Sequence, residues 1–477
     1  MLQTLSLLIL LKVRLLMTNH GFGLLYEMGC GKTLTAIAIT GAAFLKGKVK
    51  KLLVVAPASV VPVWSKEFDN FADFPYMVGT MQGTASKKIE ILKRLQLSEQ
   101  HMSKPMLYVA VINYESVWRE QIFDTIKKWN PDMIICDESQ RIKSNSAQQS
   151  KAMHALGDIA RYKLILSGTP IQNSAMDVWS QYRFLDKTVF GDNFYSFRAR
   201  YGVLGGFNGK QVVGVRDVDL LTEKAHSIAY RVTKDEALDL PEQTFENREI
   251  ELTAKERKLY NEIKKECFAE IDGGTISAAM ITTKLLRLQQ ITGGFIQLDD
   301  DAKPKQIGTG KLKALEDIVD DYVVDGGKKL VIFARFIPEI HAICEMLDKK
   351  KIPDGKGGSK PMRYSKIWGA VKLEDRGEQV RQFQQEDDVR VFVAQIDTAG
   401  LGITLTAADT AVYYSLNYNY AAYEQSLARI HRIGQKNNCT YIHLVCPKTV
   451  DTQILKALHK KEDLAKSIVD NWKMYFE

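Results

Sequence analysis

The sequence predicts an α/β fold built on two separate parallel sheets. Three observations carry this. Short apolar runs alternate with helical patterns from about residue 21 to 185, and the alternation restarts near Lys311. Runs of this length that lack polar alternation and are separated by helices mark strands buried on both faces, as in parallel sheets. The third observation is the stretch Tyr26-Glu-Met-Gly-Cys-Gly-Lys-Thr33, between the apolar pair Leu24-Leu25 and a helical run from Leu34 to Phe44. Strand, glycine turn and helix form the context of a phosphate-binding loop.

Each residue of that turn has a chemical reason to be there. Gly29 and Gly31 let the backbone turn its N–H groups onto an anion where a side chain would clash, with Cys30 as the spacer between them. Lys32 can reach the outer phosphates of a nucleotide, the Thr33 hydroxyl can hold Mg²⁺, and the helix N-terminus adds partial positive charge. The strict pattern opens on Gly where this chain has Tyr26.

Further strands are predicted at Lys51–Ala56, Leu107–Ile112, Met133–Cys136 and Tyr162–Leu166. The third runs into Asp137-Glu138. A strand ending in two carboxylates suits nucleotide hydrolysis: Asp137 for Mg²⁺, Glu138 to orient and deprotonate a water. The fourth runs into Ser167-Gly168-Thr169-Pro170, whose hydroxyls can bond a carboxylate and relay its state, or simply form a turn.

Residues 187–245 read as a protruding, mostly helical or irregular insert, and residues 252–298 as helical. The second series of strands is predicted at Lys329–Phe333, Val389–Ala394, Ala411–Tyr414 and Tyr441–Val445. The basic, glycine-rich run Lys349–Lys360 reads as a solvated loop. In Gln425–Gln435, Arg429 and Arg432 lie three apart, predicting one helix face from which two guanidinium groups reach a γ-phosphate. Such a finger is worth ~10³–10⁵ in rate. The expected division is an atypical N-terminal segment at 1–20, a first lobe at 21–235, a helical linker at 236–310 and a second lobe at 311–477.

Composition bounds the rest. The chain has 477 residues, 45% hydrophobic, with 65 basic against 57 acidic residues and a formal charge of +8. That suits two or three ordinary globular cores and permits nucleic-acid binding without requiring it. The six cysteines form no CxxC pair, which argues against a zinc site or disulfide framework and for a reducing compartment. The apolar stretch Leu5–Leu11 is followed by Lys12 and Arg14. It is too short to span a membrane and lacks a small-residue cleavage site, so no membrane association is expected.

Taken together, the motifs resemble the Swi/Snf family of superfamily-two helicase-like ATPases. The matching pieces stand in that family's order: Glu27–Thr33, Val54–Trp64, Ile112–Glu115, Asp137–Lys143, Leu166–Asn173 with Trp179, Leu285–Gln290, Val331–Phe333, Gly400–Asp409 and Arg429–Gln435. The resemblance implies two RecA-like lobes and an ATP-dependent translocase on double-stranded DNA. It also leaves a strand-separating DNA or RNA helicase, or a catalytically weak DNA-binding scaffold, as alternatives. It implies that Lys32, Thr33, Asp137 and Glu138 of the first lobe and Arg429, Arg432 and Gln435 of the second serve ATP and Mg²⁺. Gln140 with Ser167, Gly168 and Thr169 would couple the site to motion. Ser59, Asn113, Tyr114, Arg335 and Thr398 would touch the DNA backbone. The chain departs from the family at Gln140, where His is usual, and at Asp397, which replaces a basic residue. An adenine-reading Gln upstream is not recognisable, Gln3 being the only candidate. With no zinc finger, no histone-tail reader pattern and no long insertion in the sequence, the resemblance is expected to be to a minimal bacterial or phage-type member in the cytoplasm.

Overall fold

The computed structural model describes residues 20–102, 104–172, 174–205, 211–272, 278–297, 304–353, 358–397 and 403–469. They form two compact units, one running to Leu238 and taking in the described residues from Lys461 on, the other spanning Asp239–Lys460.

The first unit is a seven-stranded parallel sheet. Its strands are β1 (Gly21–Tyr26), β2 (Lys51–Ala56), β3 (Tyr76–Thr80), β4 (Leu107–Asn113), β5 (Met133–Asp137), β6 (Tyr162–Leu166) and β7 (Ala229–Val232), in the order β3-β4-β2-β5-β6-β1-β7. Side chains alternate between faces along each strand. Leu53 and Val55 of β2 therefore join one core with Leu92, Ile122, Ile126, Trp129 and Leu156. Leu52 and Val54 join the other, with Ile37, Ile39, Trp64 and Phe68. Both faces are roofed by helices, which is why these strands read as unbroken apolar runs.

The second unit is a six-stranded parallel sheet of β8 (Gln243–Glu249), β9 (Leu330–Ala334), β10 (Arg363–Ile367), β11 (Val389–Gln395), β12 (Thr410–Tyr413) and β13 (Cys439–Val445). Their order is β8-β13-β12-β9-β11-β10. One face packs Leu330, Ile332, Val391 and Val393 on helices Gly310–Val319 and Ile337–Leu347.

The insert expected to be mostly helical or irregular carries helices Phe194–Tyr201 and Val218–His226, and strands as well. Within 187–245, Gly202–Gly205 and Gln211–Val215 pair as an antiparallel hairpin, and Ala229–Val232 joins the first sheet beside β1. The expected helical linker likewise contains β8, an edge strand of the second sheet. The four-residue β7 carries Arg231, and β8 is polar and half-exposed (QTFENRE), so neither has the apolar run that marks a buried strand.

Candidate active site

The parallel sheet of the first unit places its functional residues beyond the carboxyl ends of β1, β5 and β6, where open α/β sheets hold ligands. β1 stops at Tyr26, and the chain turns through Gly29 (φ 91°) and Gly31 (φ 79°) into helix Lys32–Leu45. Both glycines hold left-handed backbone that other residues adopt at a cost. A Cβ added to Gly31 would meet nothing within 4 Å, so the backbone is open there. The Lys32 ammonium donates to the carbonyls of Tyr26 (3.0 Å) and Glu27 (3.3 Å). Burial holds its pKa low, against the pull of Glu138 and Asp137. Burial pushes the Cys30 thiol up to about 11, with Glu27 adding to the shift, so Cys30 is a neutral spacer at pH 7.

β5 delivers the carboxylate pair. Asp137 is buried and its Oδ2 accepts from the Trp64 indole at 3.0 Å. Burial, then the neighbouring Glu138 charge, raises its carboxyl to about 7. Glu138 itself sits in left-handed backbone (φ 52°, ψ 56°), which costs about 1–3 kcal/mol in a non-glycine residue. The turn brings Glu138 Oε2 within 2.5 Å of the Gln140 Nε2 that donates to it. Gln140 Oε1 in turn accepts from Ser167 Oγ at 2.8 Å, and Ser167 Oγ accepts from the Thr169 N–H at 3.1 Å. Gly168 lies against the phosphate loop: a Cβ there would stand 3.3 Å from the Tyr26 carbonyl and 3.5 Å from Lys32 Nζ. The loop, the carboxylate pair and the Ser-Gly-Thr turn are thus one contiguous constellation.

Two residues of this constellation carry no signal in the sequence. Arg231 of β7 is buried and donates to the carbonyls of Leu25 (3.0 Å) and Gly168 (3.3 Å) and to Glu27 Oε1 (2.8 Å). The other Glu27 carboxylate oxygen accepts the Lys234 N–H at 2.9 Å. Leu25 and Glu27 lie more than two hundred positions from Arg231 and Lys234 in the chain, and the pairing of β1 with β7 brings them together.

Of the expected DNA contacts, Ser59 is half-buried in the turn before helix Val61–Phe71. Asn113 accepts from Lys88 Nζ at 2.8 Å and donates to Glu115 at 2.7 Å. Tyr114 is a correction: it is fully buried, its phenol donating to the Asp137 carbonyl at 2.8 Å, so it braces the carboxylate turn and cannot reach a DNA backbone.

In the second unit, helix Tyr420–Leu427 ends before the arginine pair, which corrects the expectation of one helix face. The Arg429 N–H closes on Ser426 and its carbonyl accepts the Leu405 N–H at 2.9 Å, so the backbone there is spent on a turn. Arg429 is buried, with Nη1 on the Ile403 carbonyl at 3.2 Å, and Arg432 is half-buried. Gln435 spends its amide inside the unit. Nε2 donates to the carbonyls of Thr406, Ala408 and Ile430, and Oε1 accepts the N–H groups of Lys436 and Asn437. The Arg335 guanidinium donates to Gln289. Thr398, Gly400 to Gly402, Asn173 and Gln3 lie outside the described residues.

Comparison with known proteins places this arrangement. A family model described as SNF2-related domain matches residues 10–293, and one described as helicase conserved C-terminal domain matches residues 310–434. The chain belongs to the SNF2-related family. The two parallel sheets are the RecA-like lobes of this superfamily-two helicase-like ATPase core. An SNF2-related chain of this kind is 25% identical over 470 residues to the ATP-dependent helicase brm of Drosophila melanogaster, covering 93% of this chain and 27% of that protein. It is 24% identical over 464 residues to an uncharacterized ATP-dependent helicase of Mycoplasma genitalium, covering 95% and 41%. It is 24% identical over 485 residues to the DNA repair and recombination protein RAD54-like of Drosophila ananassae, covering 93% and 59%. The chain therefore spans between about a quarter and three fifths of the lengths of these relatives. Among the described residues, no helix is long and apolar enough to cross a membrane.

The donor set of the first unit fits a nucleotide triphosphate with Mg²⁺. The Lys32 ammonium is enclosed beside the loop and would suit a phosphate group, and the Asp137 carboxyl, raised by its burial and by Glu138, would be relieved by a divalent cation.

Proposed function

We propose that this chain is an ATP-dependent translocase on double-stranded DNA, of bacterial or phage type and working in the cytoplasm. The observation that carries this reading is the hydrogen-bonded path from Glu138 through Gln140 to Ser167, beside the phosphate loop. It links a hydrolytic carboxylate to a neighbouring strand end, as a motor needs and a passive DNA binder does not. Two relatives named as ATP-dependent helicases support it.

In this reading Lys32 and the loop N–H groups hold the phosphates in line. Glu138 orients the water and takes its proton, held at its angle by Gln140. Thr33 and Asp137 would hold Mg²⁺, which supplies charge neutralisation on the phosphate oxygens when bound. Arg429 and Arg432 of the second unit serve the γ-phosphate during turnover, and Gln435 positions their turn. Ser59, Asn113 and Arg335 are proposed contacts to the DNA backbone.

Hydrolysis of ATP by the purified chain, alone and with duplex DNA, single-stranded DNA or RNA, tests the proposal. Stimulation by duplex DNA above all others, together with displacement of a triplex-forming strand, is the expected result. Stimulation by single strands only would make the chain a strand separator. Absence of hydrolysis under every condition would make it a scaffold.

A further inference from the structure

Glu27 is the hub of the phosphate loop. Its carbonyl accepts from Lys32 Nζ at 3.3 Å and from the Cys30 N–H at 3.2 Å, and its own N–H donates to the Val232 carbonyl at 2.9 Å. Its carboxylate holds Arg231 on one oxygen and the Lys234 N–H on the other. Arg231 in turn clamps the end of β1 and the Gly168 carbonyl of the Ser-Gly-Thr turn. From Arg231 the chain runs straight into helix Lys234–Ala237, stiffened by the Thr233–Glu236 capping box, and passes into the second unit after Leu238.

We infer that Arg231 is a positioning residue for the phosphate loop, and that Arg231 and Lys234 carry the loop's state through Glu27 to the segment entering the second unit. The inference rests on the ATP-hydrolysing reading above. The logic is one of shared partners. When Lys32 turns from the Tyr26 and Glu27 carbonyls to a phosphate, the contacts holding Glu27 change on one side only. The carboxylate side stays fixed to Arg231 and to the first turn of the short helix. A shift of Glu27 is then passed to Leu238 within a few residues. It moves as one piece because the helix is capped, and the Ser167–Thr169 turn follows because Gly168 shares the same guanidinium. A guanidinium suits this task because its planar fork can serve two carbonyls and a carboxylate at once, which an ammonium does less well.

The test uses the full chain with a fluorescence donor and acceptor introduced as unnatural amino acids at exposed Lys127 and Lys349. Energy transfer is followed during titration with Mg²⁺ and a non-hydrolysable ATP analogue, alongside binding of a fluorescent ATP analogue. Wild type is expected to bind and to change its transfer efficiency. Arg231→Met should weaken binding at least tenfold and, at saturating nucleotide, leave less than half of the wild-type change. Arg231→Lys should recover part of both, which a purely structural ion pair would not require. Wild-type amplitude in Arg231→Met at saturation would overturn the coupling, and wild-type affinity would overturn the positioning role. Should Arg231→Met lose its folding transition, Glu27→Gln keeps the shape of the loop and is expected to show the same loss of amplitude. Failure of the wild-type chain to bind nucleotide at all would overturn the ATP-hydrolysing reading and this inference with it.

Discussion

Asp137 and Glu138 are neighbours in the chain with different surroundings. Asp137 is buried against Trp64, whereas Glu138 is half-buried and aimed at Gln140 by a left-handed turn. Because Glu138 acts on the water, Glu138→Gln should keep nucleotide affinity and lower turnover by ~10²–10⁴; equal turnover in a single-cycle assay would remove Glu138 from the mechanism. Asp137 carries a pH dependence. Its folded carboxyl titrates near 7 against an ordinary value of 3.8, so between those values the native state holds a proton that the unfolded chain has lost. Stability from this group therefore falls as pH rises through the window, and below 7 a cation must displace the proton. Apparent Mg²⁺ affinity should drop by about tenfold per pH unit below 7, read from the Mg²⁺ concentration that half-saturates activity at pH 6 and pH 8. A flat response would mean that Asp137 does not hold the metal. Lys32, Thr33, Asp137 and Glu138 are legible in the sequence because a glycine turn and a strand end announce them locally. Arg231 is not, since a single arginine in a four-residue strand has no local signature. Its role comes from partners brought close by the closing of the sheet.

At the level of elements, what reads from the sequence and what does not divides along a physical line. The eight strands anticipated after β1 are all interior strands of their sheets. Within these two sheets the four that were not, β3, β7, β8 and β10, are the outermost strands. An interior strand is covered on two faces and paired on two edges, so it must be apolar throughout. An edge strand can be short, polar and half-exposed, as Gln243–Glu249 is, and then reads as a loop. The same line predicts sensitivity. Ile135→Ala in β5, at a fully buried position, should cost ~2–5 kcal/mol and lower the thermal midpoint. Glu249→Ala in the exposed edge β8 should stay within about 0.5 kcal/mol. Equal losses in a denaturant titration would contradict the layered packing. The arginine pair fails for another reason: spacing by three suits a helix, but the Leu405 N–H takes the Arg429 carbonyl and the helix ends at Leu427.

For the whole molecule, charge is the lever on partner binding. The formal charge is +8, and the proposed DNA contacts are to phosphates. Binding to duplex DNA should therefore weaken steeply with salt and depend little on base sequence. The check is a plot of log affinity against log salt concentration for two unrelated duplexes. Parallel steep lines are expected, and a flat line would contradict phosphate-led binding.

The position of β1 also has a consequence for synthesis. This strand lies in the interior of the first sheet, between β6 and β7, and Arg231 reaches back to Leu25 across 206 positions. At roughly 5–20 residues per second, a ribosome needs about 10–40 s to supply that last partner. Throughout that interval one edge of an apolar strand stays unpaired, so the nascent first lobe is a natural client for a chaperone. A stalled chain released before Val232 should be held by one and should aggregate without it. The phosphate loop, anchored by the last strand to arrive, becomes competent only when the rest of its lobe is complete.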